Sequence, residues 1–252
     1  MRRLLKLALQ KPEMAAASLL ILMVVVFQVK SGGVFLNYDN LRGVLGFLPE
    51  MGLVAIGVTL LMIAGEFDLS VGSVFALAPM CTAVLITMGW GFWPAMAVGM
   101  LVCVLVGFIN GWVTIQFDIP SFITTLGMMF MARSMTVVVS GGFPPRPDPS
   151  VIPTGLFVAF VGPGQMFRAS FLWFIGIAVI VHLLLSRTNF GNWVRATGGF
   201  LPAARGMGIP TARVKLACFI ICSLLSGFAG IIQVLRLGSP LPSLGMGYEL
   251  QA

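Results

Sequence analysis

The chain has 252 residues, 58% of them hydrophobic and 9% charged, with a mean hydropathy of +1.03. Soluble domains carry about 25% charged residues, so this composition excludes a water-soluble enzyme, a nucleic-acid module and a secreted disulfide scaffold. The net charge of +7 calls for no nucleic-acid partner, because excess Lys and Arg on a membrane protein mark the loops kept in the cytoplasm.

A helix that crosses the hydrocarbon core needs about 20 mostly apolar residues. The sequence predicts about seven such spans, at approximately 14–29, 43–65, 71–89, 92–115, 121–139, 171–186 and 214–235; the only charged residues inside them are Glu50, Arg133 and Lys215. The short alternating segments of an outer-membrane barrel are missing from stretches such as Ala15 to Phe27. The fold class expected is therefore an all-α polytopic membrane protein, with residues 1–252 forming a single transmembrane domain. Arg2, Arg3, Lys6 and Lys11 precede the first span, and Arg187, Arg195, Arg205, Arg213 and Lys215 follow the sixth with no acid among them. Both regions are expected in the cytoplasm, and an even number of crossings separates them, so the two assignments agree. The Pro-rich stretch 141–170 then faces outward, and Trp90, Trp93 and Trp173 suit an interfacial aromatic belt. The first span reads as an uncleaved anchor, since Gln28-Val29-Lys30 is not a small-residue cleavage site.

In chain order, the first irregularity is Met62-Ile-Ala-Gly-Glu-Phe-Asp-Leu-Ser-Val-Gly-Ser73, where Gly65 and Gly72 flank two carboxylates, Glu66 and Asp68. This predicts a helix break, with Asp68 or Ser70 as an N-cap accepting from the first-turn N–H groups of the next span. Two readings stay open: a short polar turn at the cytoplasmic surface, or a discontinuous helix whose exposed backbone lines a translocation pathway.

Small residues recur at steps of four in the fourth span (Ala95, Gly99, Cys103, Gly107, Gly111) and in the seventh (Cys218, Cys222, Ser226, Gly230). Such ridges let helices approach closely in lipid, where the hydrophobic drive between them is weak. They also account for the cysteines as small packing groups, and no metal site is expected. Arg133, inside the fifth span, should face the bundle interior or a wet cavity. It is either structurally paired or directly engaged in transport, with Glu50, Glu66 and Asp68 as candidate partners. His182 is expected as a buried, hydrogen-bonded imidazole.

In the loop 187–213, Pro202 suits the first turn of a short helix and Gly208 its end. Ala203, Ala204 and Met207 would form a small surface patch with Arg195 and Arg205 at its rim, serving either to dock a protein or merely to fix topology. Lys6, Lys11, Lys30 and Lys215 all lack a preceding glycine, so the chain carries no phosphate-binding loop of its own. One histidine and few acids leave little acid–base or metal chemistry, and neither enzymatic activity nor a cofactor is expected.

The run Gly65-Glu-Phe-Asp-Leu-Ser-Val-Gly-Ser73 resembles the Gly-x-x-Asp-Leu-Ser-Val-Gly-Ser motif of the ribose-type permeases of binding-protein-dependent ABC importers, which share a superfamily with branched-chain amino-acid permeases. Asn110-Gly111 and Ile119-Pro-Ser-Phe-Ile-Thr-Thr-Leu-Gly127 are similar to that family's next stretch, with Arg133 near its usual arginine. Arg187-Thr-Asn-Phe-Gly191, Ala196-Thr-Gly-Gly199, Ala203-Ala-Arg205 and Gly208-Ile209 resemble its cytoplasmic loop. The resemblance runs from about residue 40 to the end. It departs at Glu66-Phe67, where Gly-Ile is commoner, and at Phe200, where Asn is usual.

What this resemblance implies is a membrane-spanning permease subunit that translocates a monosaccharide. A periplasmic or extracellular solute-binding protein would deliver the sugar and a separate ABC ATPase subunit would supply the energy. A second permease subunit and membrane lipid are implied partners. The setting implied is the bacterial cytoplasmic (inner) membrane, multi-pass, with the N-terminus cytoplasmic. Gly65, Glu66, Asp68, Ser70, Gly72 and Ser73 would belong to the translocation pathway. Gly191, Arg195, Gly198, Gly199, Ala203, Ala204, Arg205, Gly208 and Ile209 would form the ATPase-coupling loop. Family members usually run longer, and Gly245-Met-Gly-Tyr-Glu-Leu-Gln-Ala252 is similar to a segment that leads into further spans. The expectation is thus a C-terminally truncated inverted-repeat permease. Two alternatives remain: a permease for branched-chain amino acids, or an ion-coupled secondary transporter or channel, which would need intramembrane carboxylates from among Glu50, Glu66, Asp68 and Asp118.

Overall fold

The computed structural model describes residues 12–162 and 165–251. Arg2, Arg3, Lys6 and Lys11, on which the expected orientation partly rests, lie outside the described residues. The chain divides into two compact units, one ending at Gly46 and the other beginning at Phe47. In the first unit, α1 (Pro12–Lys30) is followed by a turn organised by Gln28. Its amide donates to the Gly33 carbonyl at 3.1 Å and accepts from the Leu36 N–H at 2.8 Å. Helix α2 (Tyr38–Ile63) runs through the division between the units.

The second unit contains α3 (Val71–Thr87), α4 (Phe92–Gln116) and α5 (Ser121–Ser140). A 3-10 turn at Pro149–Val151 and the single-turn α6 (Thr154–Phe157) precede a two-residue hairpin of β1 (Phe160–Val161) and β2 (Phe167–Arg168). Then come α7 (Ala169–Arg187), α8 (Asn189–Gly199), α9 (Leu201–Gly206), α10 (Thr211–Leu237) and the terminal turn α11 (Tyr248–Gln251). Among the described residues α2, α4, α5, α7 and α10 are long and apolar enough to cross a membrane. The chain is an all-α polytopic membrane protein. Helix α3 has 17 residues, a length of about 25 Å at 1.5 Å per residue, because the segment before it is spent on the helix break rather than on another turn.

The centre of the second unit is α3, packed between α4, α5 and α10. It is buried on nearly all sides: Val71, Phe75, Ala76, Ala78 and Met80 are 0% exposed. The expected small-residue ridges make these contacts. A Cβ on Gly107 of α4 would strike the main chain of α10 at Ile220, one on Gly111 would strike the Leu216 side chain, and one on Gly99 would strike α3 at Ala78 and Thr82. On α10, Gly230 lies against the Phe75 carbonyl and Gly227 against Cys103 and Ala78. Cys218 and Cys222 are 0% exposed in the same seam.

Residues 141–162 and 165–168, within the stretch 141–170 expected only as a Pro-rich outward loop, fold over one end of the bundle. Phe157, 1% exposed, stacks on Trp173 at 5.8 Å between ring centroids and meets Phe92, Trp93 and Phe228 at 5.9–6.3 Å. Trp173 also donates from Nε1 to the Leu156 carbonyl at 3.2 Å. Asp148 starts the 3-10 turn by accepting from the Ser150 N–H at 2.9 Å; that hydrogen bond holds its carboxyl below the ordinary carboxylate value.

One expectation is corrected here. His182 is exposed on α7 rather than buried. Helix α7 meets the core through Phe174, Ile177 and Leu185, and position 182 lies outside that strip.

The seam makes a direct prediction. Gly230→Val pushes side-chain atoms into the Phe75 carbonyl and should destabilise the detergent-solubilised chain by about 1–3 kcal/mol, the usual cost of overpacking. Gly127→Ala, where nothing lies within 4 Å, should not lower the unfolding temperature and, by helix propensity, should stabilise by up to about 1 kcal/mol.

Candidate functional site

The break between α2 and α3 is built by main-chain hydrogen bonds. Gly65, at φ +84°, donates to Met62 O at 3.0 Å, and Glu66 donates to Leu61 O at 3.2 Å. This paired pattern, closed by a left-handed glycine, ends a helix while satisfying its last carbonyls. The next residues extend beneath the first turn of α5. Its hydroxyls take their amides: Phe67 N–H donates to Ser121 Oγ at 3.1 Å and Leu69 N–H to Thr125 Oγ1 at 3.0 Å.

Asp68 and Ser70 are buried, at 1% and 0% exposure, which excludes a solvated polar turn at that point. Asp68 Oδ1 accepts from the Ser70 N–H at 2.7 Å and from its hydroxyl at 2.6 Å. Asn110 of α4 donates to Ser70 Oγ at 2.9 Å and, more loosely, to Asp68 Oδ2 at 3.5 Å. Of the two N-cap candidates, Asp68 accepts the main-chain N–H of Ser70 at the start of α3, and the expectation is corrected for Ser70. Ser70 occupies the N-cap position of α3 without capping through its side chain, because its hydroxyl is committed to Asp68 and Asn110. Ser73 is fully buried, and its hydroxyl has no partner among the described residues.

Gly72 touches the chain beyond α10: a Cβ there would overlap the Gly245 carbonyl and the Glu249 carboxylate. Arg133 spans the same contact. Its Nη1 donates to Pro242 O and Leu244 O, each at 2.7 Å, and its Nη2 to Gly72 O at 3.2 Å. The carboxylates suggested as its partners are engaged elsewhere. Glu50 forms a two-pronged pair with Arg236 at 2.8 Å on each oxygen, Glu66 pairs with Lys215, and Asp68 is held by neutral donors.

The loop after α7 reaches the break directly. Thr188 Oγ1 accepts from the Gly191 N–H at 3.3 Å to start α8, and Gly191 lies tight against the Leu185 carbonyl. At the other end of α8, Gly198 abuts the Ile63 carbonyl and Ala64, and Gly65 faces the Gly198 Cα. A side chain at 198 would displace the last turn of α2. Gly199 has open space around it. The short helix expected from Pro202 is α9, followed by Gly208 at φ +77°. Arg195, Ala203 and Arg205 are exposed and Ile209 half-buried. Ala204 is 1% exposed, which corrects its assignment to a surface patch: on a six-residue helix it is the position that seats α9 on the bundle. Phe200 and Met207, at 66% and 71% exposure, are the large apolar groups beside Ala203 instead. Between α9, the break and the start of α10 lies a cleft of about 250 Å³ lined by Glu66, Thr114, Asp118, Arg205, Thr211 and Lys215.

Asn110, Ser121, Thr125 and Lys215 complete this site without having been assigned to it from sequence. The available signal was polar side chains placed at helix ends or inside apolar spans, where an unpaired polar group is costly.

A family model described as the permease component of the branched-chain amino acid transport system matches residues 40–252. The chain belongs to this permease family. It is 35% identical over 217 residues to the L-arabinose transport system permease protein AraH of Escherichia coli, covering 86% of this chain and 65% of that protein. It is 31% identical over 215 residues to the xylose/arabinose import permease protein XylH of Sulfolobus acidocaldarius, covering 81% and 58% respectively. The ribose import permease protein RbsC of Escherichia coli is 30% identical over 242 residues, covering 93% of this chain and 73% of that protein. The chain thus spans less than two thirds of the length of the first two relatives. No solved structure matches it.

The hydroxyl support of the break is testable with two adjacent threonines. Thr125→Val keeps shape but strands the buried Leu69 N–H and should cost about 1–3 kcal/mol. Thr124→Val removes a buried hydroxyl that already has no partner and should change stability by less than about 0.5 kcal/mol. Denaturation of both variants in the same detergent checks the contrast.

Proposed function

We propose that the chain is the membrane-spanning permease subunit of a binding-protein-dependent ABC importer for a monosaccharide, energised by a separate ATPase subunit. The observation that carries this reading is the seating of Gly198, in the basic loop, on the final carbonyls of α2 beside the buried break. A push on α8 and α9 is passed through a main-chain contact, which has little compliance, to the segment 64–70. The Glu66–Lys215 pair ties the same segment to α10, so the break and the loop move as coupled parts. Phe200, Ala203 and Met207, rimmed by Arg195 and Arg205, offer an exposed apolar and cationic face for the ATPase.

In this reading the loop 187–213 and the N-terminus are cytoplasmic, the segment 141–168 faces the solute-binding protein, and the membrane is the bacterial cytoplasmic membrane. The conduit runs between this chain and a second permease subunit, with the break Gly65–Ser73 along it. The sugar class is supported by the names of the relatives, which transport arabinose, xylose and ribose. The family description favours branched-chain amino acids as a second reading. An ion-coupled carrier is disfavoured, because Glu50 and Glu66 are paired with cations and Asp68 is held by three donors.

Vesicles holding the chain, its ATPase and its binding protein should accumulate labelled L-arabinose, D-xylose or D-ribose only with ATP. Uptake of leucine instead would select the second reading, and uptake without the ATPase would overturn the proposal. Ala203→Glu with Met207→Glu should weaken ATPase co-purification at least about tenfold, as expected for charge placed in an interface core. Ala204→Glu is unsuited to this test because it would bury a carboxylate under α9.

A further inference from the structure

The two glycine-flanked segments of the chain, Gly65–Ser73 and Gly245–Gly247, meet main chain to main chain. A Cβ on Gly72 would strike the Gly245 carbonyl, and one on Gly245 would lie 2.5 Å from the Gly72 carbonyl. Gly245 and Gly247 adopt φ of +68° and +86°, conformations that side chains disfavour. The contact has an aromatic flank, where Phe75 and Tyr248 pack edge to face at 4.9 Å. It also has an acidic one: Glu249 accepts from the Gly247 N–H at 3.2 Å and lies over Gly72.

Segment 239–247 is anchored by Leu244 in the hydrophobic core and by Ser239, which donates to Pro145 O at 3.0 Å, but it has little regular main-chain bonding of its own. Its internal main-chain bonds are single turns, such as Leu244 N–H to Leu241 O at 3.0 Å and Tyr248 N–H to Gly245 O at 3.2 Å. Arg133 supplies what those turns lack. Its guanidinium donates to carbonyls on both sides of the seam, to Pro242 and Leu244 on one side and Gly72 on the other. Hydrogen bonds from a charged donor are roughly twice as strong as neutral ones, and a guanidinium in this setting cannot shed its proton to escape the cost of burial.

We infer that Arg133 is a positioning residue that pins segment 239–247 against the first turn of α3, so that the two breaks open and close as one seam during transport. This inference rests on the importer reading. Removing the pin frees the seam without dismantling the bundle, since the α3–α4–α10 contacts are made by Gly99, Gly107, Gly111, Gly227 and Gly230 and do not involve position 133. A seam that opens without its pin lets the ATPase cycle without moving solute.

The test uses Arg133→Ala and Arg133→Lys in sealed proteoliposomes containing the chain and its ATPase, with the binding protein added. In Arg133→Ala, the amides of Leu244, Gly247 and Tyr248 should exchange with deuterium at least about tenfold faster, the effect of losing a charge-assisted hydrogen bond. Amides within α4 and α10 should keep their wild-type rates. Sugar moved per ATP hydrolysed should fall about tenfold while ATP hydrolysis persists, and Arg133→Lys, which can reach part of the carbonyl set, should recover about a third of that loss. Unchanged exchange at 244–248 would overturn the pin. Faster exchange throughout α4 and α10, or an unchanged ratio of sugar to ATP, would reduce Arg133 to a structural residue and overturn the coupled seam. Wild-type proteoliposomes that move no sugar with ATP would sink the importer reading instead, leaving the exchange result to judge the pin by itself.

Discussion

Main chains that touch where glycine removes the side chain determine where the elements of this permease can lie. Lipid gives helices little hydrophobic reason to associate, so close packing and hydrogen bonding must supply the cohesion. Gly230 on the Phe75 carbonyl, Gly107 on the main chain of α10, Gly72 against Gly245 and Gly198 against Ile63 are all contacts of this kind. Each is stiff, because a main-chain contact has no rotamer with which to yield. Each is also selective, because any other residue at those positions must displace its neighbour.

The same constraint explains the interruption of regular structure after α2. A break in a buried segment leaves amides and carbonyls that no lipid can satisfy. Here the amides of Phe67, Leu69 and Ser70 are taken by Ser121, Thr125 and Asp68, while the Ser70 hydroxyl and Asn110 of α4 hold the Asp68 carboxylate. Ser121 and Thr125 of α5 are thus spent on the backbone of the break. Arg133, further along α5, follows the same rule, its charge set against three carbonyls. Among the described residues Glu50 and Glu66 form salt bridges, and these pairs tie α10 to α2 near its middle and to the break just past its end.

Joined through Gly198, the basic loop and the break form a mechanical unit rather than a chemical one. The elements that could receive a push, α8 and α9, expose Phe200 and Met207 on their outer side and bury Val194 and Ala204 on their inner side. In the proposed importer, force applied to these helices would reach α2 through Gly198 and α10 through Lys215. That arrangement suits a subunit whose energy comes from a partner.

Much of this was legible in the order of residues. Hydrophobic runs of the right length and the exclusion of charge from them define an all-α membrane protein, and the four-residue steps of small residues identify the faces of α4 and α10 that pack. Gly65 and Gly208 mark helix ends because a left-handed turn there disfavours a side chain, and the linked motifs from Gly65 to Ile209 pointed to the permease family. Pairings across the chain were not legible, since helical periodicity describes one element at a time and carries no information about which distant group comes within hydrogen-bonding reach. Arg133 looked like a partner for a carboxylate and instead holds carbonyls, because folding brings segment 239–247 within its reach while Glu50 and Glu66 meet Arg236 and Lys215. Ala204 looked superficial and His182 buried, and only the packing of α9 and α7 reversed them. Local composition determined the solvent, the helices and their small-residue faces; the tertiary structure alone decided which buried polar group answers which, because that depends on distances between segments far apart in the chain.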